Sequence, residues 1–296
     1  VADGISWDEE LDGFTERDEY INRINHLMAS VDNSDTFVRK LSAAADNFIV
    51  DRKSTGLKTI LAGFPWFADW GRDTMIALTG LTLCTGRYND CAQILESFSK
   101  YEKNGLIPNV FPNTQSEEPM YNTIDASLWY FYAVERFLHY AGTEENYQFI
   151  KENIYPVLKK IITAYQNGTD FSIGMDSDGL IHGGSDKDQI TWMDVRVGDW
   201  VVTPRHGKPV EINALWYNAV CYTLELAKKC GDKEFVAEWK SLPKQTKQAF
   251  IECFYLNEEG YLADYVDLRG ADKAVRCNQI IACGLPYKMV DEEQIV

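Results

Sequence analysis

Apolar residues recur every three or four positions along most of this chain, which is the pattern of amphipathic α-helices. The pattern is weak at the start, where residues 1–28 mix acidic residues with few apolar anchors. We therefore interpret residues 1–30 as a lead-in or linker from a preceding domain, and residues 31–296 as one domain. The predicted helices cover residues 37–50, 73–84, 88–101, 126–140, 146–165, 210–230 and 233–254, and a last one begins near Asn278.

The connections between these helices are of two kinds. Short turns such as residues 84–87 and 230–233 join helices into pairs, and a glycine follows several of the periodic runs. Longer connections, rich in glycine and aromatic residues, separate the pairs at 63–72, 104–122 and 171–208. Two sequences, 175–180 and 256–262, are typical of β-turns in hairpins.

This organisation favours an all-α fold in which helix pairs form a closed or nearly closed toroid. An α-solenoid is the alternative, but such arrays show a repeat of fixed period and this sequence does not. Long loops on one side of a helical scaffold are where function usually resides.

Charge narrows the range of partners. Lys and Arg number 29 against 45 Asp and Glu, which gives a formal net charge of −16. Such a surface repels phosphate backbones and anionic lipids, so we expect neither nucleic acid nor a membrane as partner. A neutral polyol such as a glucan meets no such repulsion.

Cysteine and histidine give no sign of a metal or a cofactor. The seven cysteines are odd in number and contain no Cys-x-x-Cys pair, which favours free thiols in a reducing cytoplasm. The four histidines lack the spacing of zinc hydrolases, and no phosphate-binding glycine motif occurs. We expect no cofactor and a cytoplasmic location.

Six of the eight tryptophans fall in or beside three segments that contain acidic residues. Indole faces can pack against the C–H faces of pyranose rings, and nearby carboxylates can bind the hydroxyls. The same indoles could instead lie in the core, and composition alone leaves both readings open. These tryptophans are Trp66, Trp70, Trp129, Trp192, Trp200 and Trp216.

The first segment, residues 64–74, crosses from a loop into a helix. Arg72 is a candidate for binding vicinal hydroxyls, since a guanidinium offers a rigid fork of donors. Asp73 would also suit the positive end of the helix dipole, which is its structural alternative. Trp66, Asp69 and Trp70 complete the candidate substrate contacts of this segment.

The second segment, residues 121–130, places Asp125 in the first turn of a helix, where capping and sugar binding are equally good explanations. The loop before it would bring Asn109 to the same side.

The third segment, residues 189–218, places Asp194 in a loop between aromatic residues, beside Trp192. A carboxyl held against an indole loses hydration, which favours the protonated form that can act as an acid. Glu211 falls in the first turn of the next helix, so a dipole role is its alternative, and Trp216 follows on that helix.

Four stretches together resemble the glucosidase domain of glycogen-debranching enzymes, the amylo-α-1,6-glucosidases. The Arg72-Asp73 pair alone is shared with other α/α-barrel glycosidases; its combination with Asp194 and with Val-Glu-Ile-Asn at 210–213 is more specific. The stretches are Pro-Trp-Phe-Ala-Asp-Trp-Gly-Arg-Asp-Thr at 65–74, Tyr-Asn-Thr-Ile-Asp-Ala-Ser-Leu-Trp at 121–129, Thr-Trp-Met-Asp at 191–194 and Pro-Arg-His-Gly-Lys-Pro-Val-Glu-Ile-Asn-Ala-Leu-Trp-Tyr-Asn at 204–218.

The resemblance implies an (α/α)6 barrel that removes α-1,6-linked glucose stubs from glycogen or a similar branched α-glucan, with inversion of configuration. Asp194 matches the proton donor of the family. Arg72 and Asp73 match residues that grip the glucose whose bond is cut. Trp66, Asp69, Asp125 and Glu211 match residues that line the same pocket.

The resemblance also implies an incomplete barrel. About eight helices are visible in the pattern, whereas the barrel of the family has twelve, and its general base is expected in the missing C-terminal part. We therefore expect these 296 residues to be inactive alone. An exposed barrel flank would bare apolar surface and favour association.

Two other functions stay open. A related exo-acting α-glucosidase of the glucoamylase or trehalase type would share the toroid and the acid–base chemistry. A non-catalytic glucan-binding module would be consistent with a missing base.

Overall fold

A computed structural model of the chain describes residues 13–31, 35–63, 66–111 and 118–291. The described part is mostly helical, as predicted. The helices are α1 (Gly13–Ser30), α2 (Thr36–Ala45), α3 (Gly71–Leu81), α4 (Tyr88–Ser99), α5 (Asp125–Ala141), α6 (Glu144–Phe149), α7 (Tyr155–Asn167), α8 (Val210–Cys230), α9 (Lys233–Trp239), α10 (Leu242–Phe254) and α11 (Asn278–Gly284). A π-helical stretch, Ile150–Ile154, joins α6 to α7 without a break.

Short antiparallel strands lie in the connections between helices. The strands are β1 (Ile49–Arg52), β2 (Leu57–Ile60), β3 (Gly174–Met175), β4 (Ile181–His182), β5 (Arg196–Val197), β6 (Trp200–Val201), β7 (Lys208–Pro209), β8 (Tyr255–Leu256), β9 (Tyr261–Leu262), β10 (Tyr265–Asp267) and β11 (Gly270–Ala271). They form four hairpins, β1–β2, β3–β4, β5–β6 and β8–β9, and a three-stranded sheet in the order β11-β10-β7. The turns predicted at 175–180 and 256–262 are confirmed as the hairpins β3–β4 and β8–β9.

The core is built around α5 and α8. Helix α5 packs against α3 and α4, and α8 packs against α5, α7, α9, α10 and α11. Residues on every side of α8 are buried, including the polar Asn213, Asn218 and Thr223. A helix that is covered all round belongs in the interior of a large domain.

The prediction for residues 1–30 missed a helix. Helix α1 packs on α2, and the Leu27 carbonyl accepts a hydrogen bond from Ser42. The helix was hard to see because Leu27 is the buried residue of α1, whereas Phe14 and Tyr20 are exposed. Residues 1–12 lie outside the described part of the chain, and the domain boundary near residue 30 stays a prediction.

Two predicted helices are divided differently in the structure. The stretch 37–50 is helical only to Ala45, followed by a 3-10 turn and strand β1, where the β-branched Ile49 and Val50 suit a strand. The stretch 233–254 is interrupted after Trp239, and Pro243 lies in the first turn of α10, where proline is tolerated.

The loops that precede α3, α5 and α8 meet at one end of these helices. The Gly71 amide donates to the Asn109 carbonyl, the Ile124 amide donates to the Ile190 carbonyl, and Gly183 pairs with Gly207. The three connections singled out in the sequence therefore converge on the N-terminal ends of α3, α5 and α8. None of the helices within the described residues has both the length and the apolarity to cross a membrane.

Candidate active site

Arg72 links three segments that are far apart in the sequence. It lies in the first turn of α3 and is almost fully buried. Its Nε donates to Oδ2 of Asp125 at 2.6 Å, and its Nη1 donates to Oδ2 of Asp194 at 3.1 Å. Asp125 is the first residue of α5, and Asp194 belongs to the loop before β5. Three of the predicted site residues are thus in direct contact.

The charges of this cluster are set by burial and by the ion pairs. Burial raises the pKa of Asp125 above its ordinary range, against the lowering effect of the Arg72 guanidinium. Burial acts to lower the pKa of Arg72, but the carboxylates of Asp125 and Asp194 raise it overall. Arg72 therefore stays charged at any physiological pH.

Five buried polar atoms, which belong to Arg72, to Asn109 and to the segment from Asn122 to Asp125, have no hydrogen-bond partner among the described residues. Buried polar groups in native proteins are nearly always hydrogen-bonded, so such a concentration marks a place where a polar ligand can be held. Hydroxyl groups, which both donate and accept, would match this mixed set of donors and acceptors. The atoms are Nη2 of Arg72, Oδ1 of Asn109, Oδ1 of Asn122, Oγ1 of Thr123 and Oδ1 of Asp125.

A close approach between two backbones brings Asn109 next to Arg72. The Gly71 amide donates to the Asn109 carbonyl at 2.7 Å, and Trp70 forms a β-bridge with Val110. A Cβ atom on Gly71 would stand 2.2 Å from the Pro108 carbonyl oxygen, so this contact requires glycine. Asn109, which is buried, is therefore placed beside the start of α3, as expected.

Asp69 holds a loop rather than facing an open site. Its carboxylate accepts a bidentate pair of hydrogen bonds from Arg52 and a third, at 2.9 Å, from the Thr59 hydroxyl. The Arg52 guanidinium also lies over the Phe111 ring at 4.3 Å from its centroid. Both carboxylate oxygens of Asp69 are thus engaged by the hairpin β1–β2, and its role as a substrate contact stays a prediction.

Accessible aromatic and acidic side chains remain at this end of the helices. Trp66 is 85% exposed and Trp192 is 42% exposed, whereas Trp70 is half-buried. Asp73 lies exposed in the first turn of α3, next to Arg72, so the dipole explanation and a ligand role both stay open for it. Trp200 is also exposed, on the hairpin β5–β6 that follows Asp194.

The environment expected for Asp194 differs from the one observed. Its side chain is 35% exposed, and its hydrogen-bond partner is the Arg72 guanidinium. Asp194 is therefore reachable from solvent and is not sealed between indoles. An accessible carboxyl beside a buried arginine can still meet the atoms of a bound ligand.

A second buried network, which the sequence did not reveal, surrounds Glu211. Arg205 donates two hydrogen bonds to the Glu211 carboxylate, and its Nε donates to Oδ2 of Asp264 at 2.8 Å. Burial raises the pKa of Glu211, against the lowering effect of Arg205. Glu211 is buried within a salt-bridge network and so is more than a helix-dipole residue. Asp264 carries no local sequence signal, because its partner Arg205 lies 59 positions earlier in the chain.

Trp216 belongs to the core. It is fully buried, it stacks on Tyr165 with ring centroids 6.0 Å apart, and its indole N–H donates to the Gly179 carbonyl at 3.1 Å. An indole enclosed in this way has no face open to a sugar, so the structure gives Trp216 a role in the core, and its role as a substrate contact stays a prediction. The tryptophan pattern alone could not separate this residue from the accessible ones.

The described residues offer no metal site. No three His, Cys, Asp or Glu side chains within them group so as to hold a metal ion. All seven cysteines are free thiols.

Comparison with known proteins adds a family and a fold. The profile of the family described as amylo-alpha-1,6-glucosidase matches residues 43–296. A curated relative, the glycogen debranching enzyme of Saccharomyces cerevisiae, is 28% identical over an alignment that covers 71% of this chain and 18% of that protein. The chain therefore spans about a fifth of the length of this relative.

Two solved structures share the fold. The GH78 family rhamnosidase of Bacillus sp. GL1 superposes with a TM-score of 0.57 and 14% identity, covering 88% of this chain and 25% of that one. The rhamnosidase from Klebsiella oxytoca with rhamnose bound gives a TM-score of 0.55 and 14% identity, covering 84% of this chain and 44% of that one. At such low identity the likeness establishes the helical glycosidase fold alone.

Proposed function

We propose that this chain, which belongs to the amylo-alpha-1,6-glucosidase family, carries the acid half of the active site of a glycoside hydrolase. The substrate we propose is an α-1,6-linked glucose stub on glycogen or a similar branched α-glucan. The observation that carries the proposal is the contact of Arg72 with both Asp125 and Asp194, where three loops meet.

In the proposed reaction Asp194 is the general acid. Its proton passes to the glycosidic oxygen as the bond between that oxygen and the anomeric carbon breaks. A water attacks the anomeric carbon from the opposite face and loses its proton to a general base, which inverts the configuration. Arg72, which donates to Asp194 at 3.1 Å, fixes the direction in which the carboxyl points.

Recognition of the glucose falls to the buried polar atoms around Arg72. The unpaired Nη2 of Arg72 is a donor, and the unpaired oxygens of Asp125 and Asn109 are acceptors, so together they match adjacent hydroxyl groups. The accessible indoles of Trp66 and Trp192 offer faces for pyranose rings. Asp73, which lies exposed in the first turn of α3, is a further carboxylate that can bind a hydroxyl group of the sugar.

From the family resemblance we propose that the general base lies outside these 296 residues. Asp125 and Glu211 are each buried and ion-paired to an arginine, so neither is suited to draw a proton from water. In an inverting enzyme the base lies roughly 6.5–9.5 Å from the acid, on the far side of an attacking water. We therefore expect the isolated chain to bind a glucan without hydrolysing it, and we keep the cytoplasm as its proposed location.

The test is glucose release by the full-length protein that carries this chain. Three substrates are compared: an oligosaccharide with a single α-1,6-glucosyl branch, the linear α-1,4 oligosaccharide of equal length, and α,α-trehalose. We expect release from the branched substrate alone. Faster release from the linear substrate or from trehalose would replace the proposal with an exo-acting α-glucosidase. Glucan binding without any release would favour a non-catalytic binding module.

A further inference from the structure

A buried carboxamide joins the loop that carries Asp194 to the network around Glu211. Asn278 is the first residue of α11 and is fully buried. Its Oδ1 accepts the indole N–H of Trp192 at 2.7 Å, and its Nδ2 donates to Oδ1 of Asp264 at 2.6 Å. The carboxamide therefore spans from the loop before β5 to the loop before β10.

These partners allow a single orientation of the amide. An indole N–H only donates, and an ionised carboxylate only accepts. If the oxygen and nitrogen of Asn278 exchanged places, both hydrogen bonds would be lost. Nδ2 of Asn278 also lies 3.5 Å from the sulfur of Met193. The two residues directly before Asp194 are thus both held by one side chain.

The far end of this link is rigid. Asp264 accepts hydrogen bonds from Arg205 and from Arg276, at 2.8 Å and 2.7 Å, and Arg205 in turn binds Glu211 at the start of α8. Arg276 also binds Asp272, at 3.2 Å, so two arginines hold three carboxylates in this network, and Asn278 adds a neutral donor to Asp264. Asn278 is therefore anchored to the core of the fold, and through Trp192 it anchors the loop.

We infer that Asn278 is a positioning residue for the general acid. Arg72 holds Asp194 from the side of α3, and Asn278 holds the residues that precede Asp194 from the side of α8 and α11. Asp194 is partly exposed, so without the second tether its loop can move while Arg72 stays in place. This inference rests on the proposed function of Asp194. It adds a residue that acts through Trp192 and does not itself touch the substrate.

The experiment uses the full-length protein and an α-1,6-branched oligosaccharide. Asn278→Ala removes the tether, and Trp192→Phe removes the same hydrogen bond while keeping an aromatic face. We expect each to lower kcat by roughly 10–100-fold, since a displacement of about 1 Å at a reacting group can cost 10²-fold. Asn278→Ala should leave KM within about threefold, whereas Trp192→Phe should also raise KM, because its smaller ring offers less surface to the sugar. Because both act on one link, the double variant should be no slower than the slower single variant.

Gln279→Ala is the matched control. It removes the neighbouring carboxamide of α11, which hydrogen-bonds the backbones of Leu262 and Arg276 and does not contact the loop. We expect its kcat to stay within about threefold of wild type. Equal losses in Asn278→Ala and Gln279→Ala, or additive losses in the double variant, would show that α11 matters only for general stability and would overturn the inference.

A second readout follows the indole directly. In protein labelled with 5-fluorotryptophan, the fluorine signal of Trp192 is the one missing from Trp192→Phe. We expect Asn278→Ala to shift and broaden this signal, and Gln279→Ala to leave it in place. An unmoved signal would refute the tether. If the wild type releases no glucose, the proposed function fails, and the fluorine signal still decides whether Asn278 holds Trp192.

Discussion

Removing the charge of Asp125 should destabilise the fold, because it leaves the Arg72 guanidinium buried with less compensation. In Asp125→Asn the side chain keeps its size, but the 2.6 Å ion pair loses its negative charge. Breaking a buried pair in this way costs about 3–5 kcal/mol. Asp194 remains at 3.1 Å and is partly exposed, so it compensates incompletely. We therefore expect a loss near the lower end, about 3 kcal/mol.

Removing Arg72 should give the loss of stability a different dependence on pH. In Arg72→Met the buried Asp125 can become neutral by taking up a proton. In Asp125→Asn the buried Arg72 cannot become neutral, because arginine does not lose its proton in proteins. Burial already raises the pKa of Asp125 in the wild type. A carboxyl with a raised pKa in the folded state leaves the protein most stable at low pH, and stability falls as the pH rises through that pKa. The deficit of Arg72→Met should thus grow as the pH rises through the raised pKa of Asp125 in the wild type, whereas that of Asp125→Asn should shrink, because this variant lacks the titrating carboxyl.

Thermal unfolding followed by circular dichroism between pH 4 and pH 8 measures both effects. For a chain of this size, about 3 kcal/mol corresponds to roughly 6 °C in Tm. The matched control is Asp199→Asn, which removes the same charge from an 88% exposed partner of Lys187 and should shift Tm by less than about 1 °C. A Tm of Asp125→Asn within 1 °C of wild type, or a deficit of Arg72→Met that shrinks as the pH rises, would refute the reasoning.

Three further variants test other parts of the structure. Gly71→Ala should lower Tm, because its Cβ would stand 2.2 Å from the Pro108 carbonyl oxygen. Gly80→Ala, on the same helix, meets open space and should raise the free energy of unfolding by roughly 0.5–1 kcal/mol. Equal effects of the two variants would argue against the close contact at Gly71. Trp216→Phe should cost about 1–2 kcal/mol in urea unfolding and leave glucan affinity unchanged; weaker binding at unchanged stability would favour its role as a substrate contact. The hydrogen bond from Lys159 lowers the pKa of Asp232, so the ionised carboxylate stabilises the fold above about pH 4, and this stabilisation is lost as the pH falls through the lowered pKa. The free energy of unfolding of Asp232→Asn in urea should therefore differ from that of wild type at pH 7 and match it near pH 2. A difference that stays constant with pH would exclude this linkage.

The helices that the sequence predicts best are those with strong local signals at both ends. Helix α8 is predicted with its observed limits, because Pro209 precedes it and Gly231 follows it in the left-handed conformation. Helix α1 is missed because little of its surface is buried. Strand β1 is missed because Ile49 and Val50 continue an apolar pattern that local sequence cannot separate from a helix end.

The residues of the candidate site also divide into those with a local sequence signal and those without one. Arg72, Asp125 and Asp194 stand in recognisable local segments, and the structure places them in contact. The network of Arg205, Asp264 and Asn278 depends on pairs that are 59 and 14 positions apart in the chain, so no local motif indicates it.

The proposed acid is tested most directly by Asp194→Asn in the full-length protein, assayed for glucose release from an α-1,6-branched oligosaccharide. Asparagine keeps the size of the side chain and can still accept from Arg72, but it has no proton to give. General acid catalysis commonly contributes about 10²–10⁴-fold, so we expect kcat to fall by about a thousandfold, with little change in KM. The loss of Tm should be smaller than that of Asp125→Asn, because Asp194 is partly exposed. A kcat within about tenfold of wild type would contradict the assignment of Asp194 and with it the proposed mechanism.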